Sequence, residues 1–169
     1  MHGLTPSNIV ITHGGDEGLR LAVTTFVDPG EHCLFEDPTY SLYSVLAGIQ
    51  DAKSLSIELN DDWSLPEDFA DRAIKSESKL TFIVNPHAPS GRFLTAEALS
   101  AIADSTPGVL LIDEAYFDFV DTKLKYSTAE IVKNHKNVLV LRTLSKGYGL
   151  AGLRPVSYTH LTLPTNTVV

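Results

Sequence analysis

The sequence predicts an α/β fold, a mostly parallel sheet with flanking helices. Three observations carry that prediction. Short apolar runs recur along the chain and alternate with stretches whose apolar residues fall at helical spacing. Some of these runs are apolar throughout, as strands buried on both faces are. Polar, chemically capable residues collect just after the runs, where such sheets bind ligands.

The elements follow in order. Asn8–Thr12 reads as a strand. Asp16–Phe26 reads as a helix with Leu19, Ala22, Val23 and Phe26 on one face, and Asp28-Pro29-Gly30 stops it. His32–Glu36 is a second strand, Asp37-Pro38-Thr39 a turn, and Ser41–Gly48 a short helix. Lys53–Leu59 alternates polar and apolar residues, the pattern of an edge-type strand. Ser64–Ser76 reads as a helix opened by a capping box from Ser64 to Glu67. Leu80–Val84 is a strand ended by Asn85-Pro86, and Pro89-Ser90-Gly91 completes the loop after it. Thr95–Ala103 is a helix with Thr95 as its cap. Val109–Ile112, bounded by Pro107-Gly108 and Asp113-Glu114, is the clearest buried strand. Thr128–Asn134 is a short helix, and Asn137–Leu141 a further buried strand.

Composition narrows the class. The chain has 169 residues, 43% of them hydrophobic, which suits one globular domain. Lys and Arg number 13 against 21 Asp and Glu, a net charge of −8 that opposes a polybasic nucleic-acid binder. The single cysteine, Cys33, has no internal disulfide partner and fits a reducing, cytoplasmic compartment. Neither a signal peptide nor a run of eighteen apolar residues stands in the sequence, so no membrane role is expected. The charge stops abruptly: Glu130 is the last acidic residue, and 155–169 contain no Asp, Glu, Lys or Arg.

The residues after the runs suggest chemistry. Lys146, between Ser145 and Gly147, has the setting of an amine nucleophile that forms a Schiff base, although an isolated lysine is ordinarily just solvated. Asp113 ends an apolar strand. A buried carboxylate there either holds a protonated ring nitrogen or caps the next turn. Tyr116 lies three residues on and can return a hydroxyl to the same place. Asn85 either donates to a cofactor oxygen or opens a turn before Pro86. Thr143, Ser145 and Arg154 offer phosphate donors, and backbone N–H groups of Gly15, Asp16 and Glu17 open a helix, a ready anion cradle. Tyr40 can stack on a planar ring. Together they fit a phosphorylated aromatic cofactor held by a lysine.

Three other patterns fall away. Gly147–Gly152 matches G-x-G-x-x-G, but no acidic residue follows at the required distance. Leu110–Glu114 resembles an ATPase strand, but no phosphate-binding G-x-x-x-x-G-K-[ST] accompanies it. The six histidines show no metal-ligand spacing with Cys33, so no metal is expected.

Five segments run in order: HGGDEGL at 13–19, EDPTYSLY at 36–43, NPHAPSG at 85–91, LIDEAYFDF at 111–119 and RTLSKGYGLAGLR at 142–154. With them the chain resembles the large domain of the fold-type I pyridoxal-phosphate-dependent aminotransferases, and among these the histidinol-phosphate aminotransferase group. The resemblance implies pyridoxal 5'-phosphate as cofactor. Lys146 matches its Schiff-base lysine and Asp113 the carboxylate on its pyridine nitrogen. Tyr116 and Asn85 match the groups that bond its phenolic oxygen, and Tyr40 the stacked aromatic. Thr143, Ser145 and Arg154, with the backbone of Gly15, Asp16 and Glu17, match the phosphate-binding set. Lys146, Asp113 and Tyr116 are the implied catalytic residues.

The implied reaction passes an amino group from a small-molecule donor, histidinol phosphate by this resemblance, to 2-oxoglutarate in a homodimeric full-length protein. A decarboxylase or lyase of the same fold, or a catalytically silent fragment, is the alternative. Gly15 stands where the family usually has Ser, and His87 where it usually has Asn. Beyond Arg154 the likeness ends. Residues 1–154 read as part of a large domain, and 155–169 as an atypical tail foreign to the family. In this fold a strand enters between the first strand and the VLVL strand. Val156–Leu163 has the β-branched residues to fill that slot, until Pro164 stops it.

Overall fold

In the computed structural model, described for residues 4–124, 126–153 and 155–159, seven strands form one sheet. In chain order the elements are β1 (Ile9–His13), α1 (Gly15–Phe26), β2 (His32–Asp37), α2 (Leu42–Ile49), β3 (Lys53–Glu58) and α3 (Phe69–Ser76). There follow β4 (Leu80–Val84), α4 (Ala96–Ser105), β5 (Val109–Asp113), α5 (Ala129–Asn134), β6 (Val138–Leu141) and β7 (Pro155–Thr159). The spatial order is β1-β7-β6-β5-β4-β2-β3. β2 to β6 run parallel to one another, and β7 lies antiparallel to both its neighbours, β1 and β6. The predicted α/β class and the slot between the first strand and VLVL are therefore both observed, the slot filled by Pro155–Thr159.

Side-chain alternation assigns the two faces. Cys33, Phe35, Phe82, Val84, Leu111, Leu139 and Leu141 pack with Leu19 and Val23 of α1 and Leu46 of α2. Leu34, Ile83, Leu110, Ile112, Val138 and Val140 pack with residues of α3, α4 and α5, among them Phe69, Leu99 and Val132. Every residue of β4 and β6 is buried, and Thr81, the one polar residue among them, pairs its hydroxyl with Ser78 Oγ at 2.9 Å. Each fully buried Leu, Ile or Phe contributes about 1.5–3 kcal/mol. The register sets Val84 beside Asp113 and Asp113 beside Leu141, so three strands end level on one rim.

Two readings of the sequence differ in outcome. Thr95 does cap α4, its Oγ1 accepting from the Ala98 N–H at 3.3 Å. The helix expected over Ser64–Ser76 begins only at Phe69, and no capping box forms at Ser64. The Ser64 hydroxyl donates to Asp62 and accepts from the Asn60 amide, a local polar turn that outcompetes the helix, with Pro66 just behind it.

Candidate active site

A cavity of about 560 Å³ opens at the carboxyl ends of the parallel strands. Its walls come from the loops after β1, β2, β4, β5 and β6, so five crossings converge on it. Of the residues singled out in the sequence, Gly15, Asp16, Tyr40, Asp113, Tyr116, Thr143, Ser145 and Lys146 all line it.

Asp113 shares the parity of Leu111 and so faces α1 and α2. It is 5% exposed. Its Oδ2 accepts the Tyr43 hydroxyl at 2.8 Å and its Oδ1 the Ala115 N–H at 2.9 Å. Burial holds its pKa above the usual carboxylate value. The two hydrogen bonds and the Lys146 charge act downward, and the Asp16 charge upward. Such a carboxylate gains by facing a cation. Tyr43 was missed in the sequence, where Tyr40 of the same segment drew attention. It is fully buried and stacks on Phe82 with ring centroids 4.5 Å apart. Burial, then the Asp113 charge, push its hydroxyl well above the ordinary range, so it stays a donor. The spacing of Tyr43 with Leu46 and Ala47 marks the buried stripe of α2 and was the available signal.

Tyr40 stands half exposed at the mouth, edge-on to Tyr43 at 5.7 Å, with its hydroxyl 3.4 Å from Asp16 Oδ1. Thr39 Oγ1, in the same cavity wall, is buried without a hydrogen-bond partner among the described residues. The loop after β6 contributes Thr143 and the exposed Lys146 to the lining. The Thr143 hydroxyl accepts the Ser145 N–H at 3.0 Å. Backbone bonds from Gly149 N–H to Lys146 O (3.1 Å) and from Leu150 N–H to Leu144 O (3.0 Å) close the lysine loop. Lys146 Nζ sits 5.4 Å from the Tyr116 ring centroid. A Cβ on Gly147 would lie 2.4 Å from Asp118 Cβ, so only glycine lets the loop pack there. The N-terminus of α1 also points at the cavity. By helix geometry its first N–H groups have no partner within the helix.

Two expected residues, Asn85 and Glu17, are absent from the cavity wall. Asn85 is a correction: it does not line the cavity. It continues the parity of Ile83 and so turns to the α3–α5 face. There its Nδ2 donates to Leu94 O (3.1 Å) and the Tyr126 hydroxyl (3.0 Å), and its Oδ1 accepts the Leu94 N–H (2.7 Å). Ala88 and Pro89 of the same loop line the cavity instead. Glu17, expected to offer its backbone N–H, does not line the cavity, and its carboxylate turns back to accept the His13 N–H at 2.6 Å. Arg154 lies outside the described residues.

Behind the rim, on the α3–α5 face, a second polar layer was not foreseen. Arg142 Nε donates to Glu114 Oε2 at 2.6 Å, the Tyr126 hydroxyl donates to Glu114 Oε1 at 2.8 Å, and the Arg142 guanidinium lies 3.6 Å over the Phe117 ring. With Asn85 this layer joins the ends of β4, β5 and β6, each beside a cavity residue. Glu36, 2% exposed, accepts the Val84 N–H at 2.7 Å, and burial pushes its carboxyl up to about 8.

The family model for aminotransferases of class I and II matches residues 1–157. The chain belongs to that family. Within it, the chain is 36% identical over 152 residues to the histidinol-phosphate aminotransferase of Caldanaerobacter subterraneus and 39% over 155 residues to that of Geotalea uraniireducens. These alignments take in 89% and 91% of the chain but 42% of either relative. The chain therefore spans less than half the length of these class I and II aminotransferases. The histidinol-phosphate aminotransferase from Sinorhizobium meliloti, solved in complex with pyridoxal-5'-phosphate, superposes with a TM-score of 0.86 at 27% identity. It covers 95% of this chain and 44% of that one.

Proposed function

We propose that the protein carrying this chain binds pyridoxal 5'-phosphate in the strand-end cavity and transfers an amino group from histidinol phosphate to 2-oxoglutarate. One observation carries the reading: a buried carboxylate, Asp113, and an exposed lysine, Lys146, open into the same cavity. The residues present suit the cofactor. Asp113 gains from a protonated ring nitrogen, the orphan Thr39 hydroxyl gains from a polar group, and the α1 N-terminus favours a phosphate.

When bound, the cofactor supplies an electron sink for the substrate's α-carbon. Lys146 is its anchoring amine. Once free, Nζ would take the proton from the substrate α-carbon and deliver it to the cofactor's former aldehyde carbon, as general base and then general acid. Asp113 keeps the ring nitrogen protonated, and Tyr43 keeps Asp113 in place. Thr143, Ser145 and the first N–H groups of α1 hold the phosphate, Arg154 adds to them, and Tyr40 covers the ring. Tyr116 is left as the hydroxyl for the phenolic oxygen.

The two histidinol-phosphate aminotransferases aligned over nine-tenths of the chain support the choice of donor. A homodimer in the cytoplasm belongs to the same reading. The reading is tested on the full-length protein. Borohydride should fix the cofactor to Lys146 in the wild type and not in Lys146→Ala, and histidinol phosphate should turn over only with a 2-oxo acid present. Trapping that persists in Lys146→Ala overturns the lysine's role, and equal turnover of an unrelated amine overturns the substrate.

A further inference from the structure

We propose that His87 is a positioning residue that ties together the two loops after the neighbouring strands β2 and β4 and so holds that side of the cavity in place around the cofactor. The proposal rests on the reading that pyridoxal phosphate binds there. His87 is 6% exposed and lies outside the cavity lining, yet the residues that follow it and those that follow its partner Pro38 are part of that lining. Ala88 and Pro89, which follow it directly, form one wall. Thr39 and Tyr40, which follow Pro38, form another. The His87 ring spans the two loops.

Its Nε2 is 2.9 Å from Pro38 O, and its Nδ1 is 2.7 Å from Ser90 Oγ. A carbonyl only accepts, so Nε2 carries a proton, and in the neutral ring Nδ1 accepts from the Ser90 hydroxyl. Ser90 Oγ in turn accepts the Arg92 N–H at 3.1 Å. The Pro38 carbonyl thus sets the tautomer, and Ser90, itself held by the Arg92 N–H, meets the ring at Nδ1. The backbone closes the same loop: His87 N–H donates to Arg92 O (2.8 Å) and Gly91 N–H to His87 O (2.7 Å). Trp63 packs against the ring with centroids 5.8 Å apart. Every degree of freedom of the imidazole is thus taken, and its one long-range bond crosses 49 positions of sequence to the turn that presents Thr39 and Tyr40. An asparagine side chain at this position is shorter by the Nε2 edge and does not bridge the same gap.

The experiment uses the full-length protein with pyridoxal 5'-phosphate as probe. It compares wild type, His87→Leu, His87→Gln and Ser90→Ala. Cofactor dissociation constants are read by absorbance, and hydrogen exchange is read at the amides of 39–45. His87→Leu should weaken cofactor binding about tenfold, the scale of one buried hydrogen bond, and speed exchange at 39–45. His87→Gln puts an amide donor near the Nε2 position and should restore both to within about twofold. Ser90→Ala, an exposed site, should show the same two changes in smaller measure, about threefold in affinity, and remains informative if His87→Leu fails to fold.

The brace is overturned if exchange at 39–45 is unchanged in His87→Leu and Ser90→Ala, or if His87→Gln behaves like His87→Leu. A wild type that does not bind the cofactor overturns the functional reading instead, while the exchange comparison still decides the brace.

Discussion

The Tyr43 hydroxyl donates to Asp113 Oδ2 at 2.8 Å, joining a helix of one crossover to the end of the central strand across 70 positions of sequence. The bond settles which tyrosine of the EDPTYSLY segment serves the carboxylate. Tyr40 lies at the mouth, and Tyr43 is buried beneath it, stacked on Phe82. Tyr43→Phe keeps the ring and its stacking and removes only the donor. It should cost about 1–2 kcal/mol in stability and weaken cofactor binding several-fold, because Asp113 loses the group that orients it. Denaturant unfolding and cofactor titration of the same variant check both.

Asn85 gives the opposite expectation. Its three hydrogen bonds all go to protein groups on the face away from the cavity. Asn85→Ala should therefore lower stability by about 2–3 kcal/mol and leave the cofactor's absorbance band where it was. A shifted band with unchanged stability would restore Asn85 to the cofactor site.

Glu36 sets a pH dependence. A carboxyl that holds its proton more tightly folded than unfolded stabilises the fold while protonated. It loses that contribution as pH rises from the usual carboxylate range toward its folded value of about 8. Within that window the loss is about 1.4 kcal/mol per pH unit at most. Glu36→Gln retains an oxygen for the Val84 N–H and carries no charge, so its stability should be flatter from pH 5 to about 8 and exceed wild type at the upper end. Unfolding curves at a series of pH values read this directly.

Gly147 tests how closely the lysine loop must pack. Gly147→Ala places a methyl against Asp118 and should displace Lys146, lowering the turnover number more than it changes KM. Asp118→Gly in the same chain should recover part of the loss. If the double variant is no better than the single one, the contact with Asp118 is not what positions the lysine.

Much of this was legible in the sequence, for physical reasons. The largely apolar runs at 80–84 and 109–112 suit central strands, and both form them, with Val109 alone partly exposed. The cavity residues after β1, β5 and β6 were identified because a strand end determines where the next few residues emerge. Failures came where a local choice beat a pattern. Around Ser64, short polar side chains bonded one another instead of a helix N-terminus. At Asn85 the residue type suggested a ligand, while the alternation begun at Thr81 and Ile83 already turned it to the other face. The Glu114–Arg142 pair joins residues 28 apart whose proximity follows from the β5–β6 register and from no sequence signal.

The antiparallel strand β7 bears on how this sheet assembles. Among the described residues β1 pairs with β7 alone, so residues 9–13 wait for 155–159. Of the strands described, the earliest in sequence is thus among the last to be incorporated. Until then, Ile9, Val10 and Ile11 present a β-branched edge to whatever else is nearby. Such distant pairing slows folding and lengthens exposure to aggregation. Mutations that weaken β7 pairing are therefore expected to reduce the yield of native protein during synthesis before they alter anything in the finished cavity.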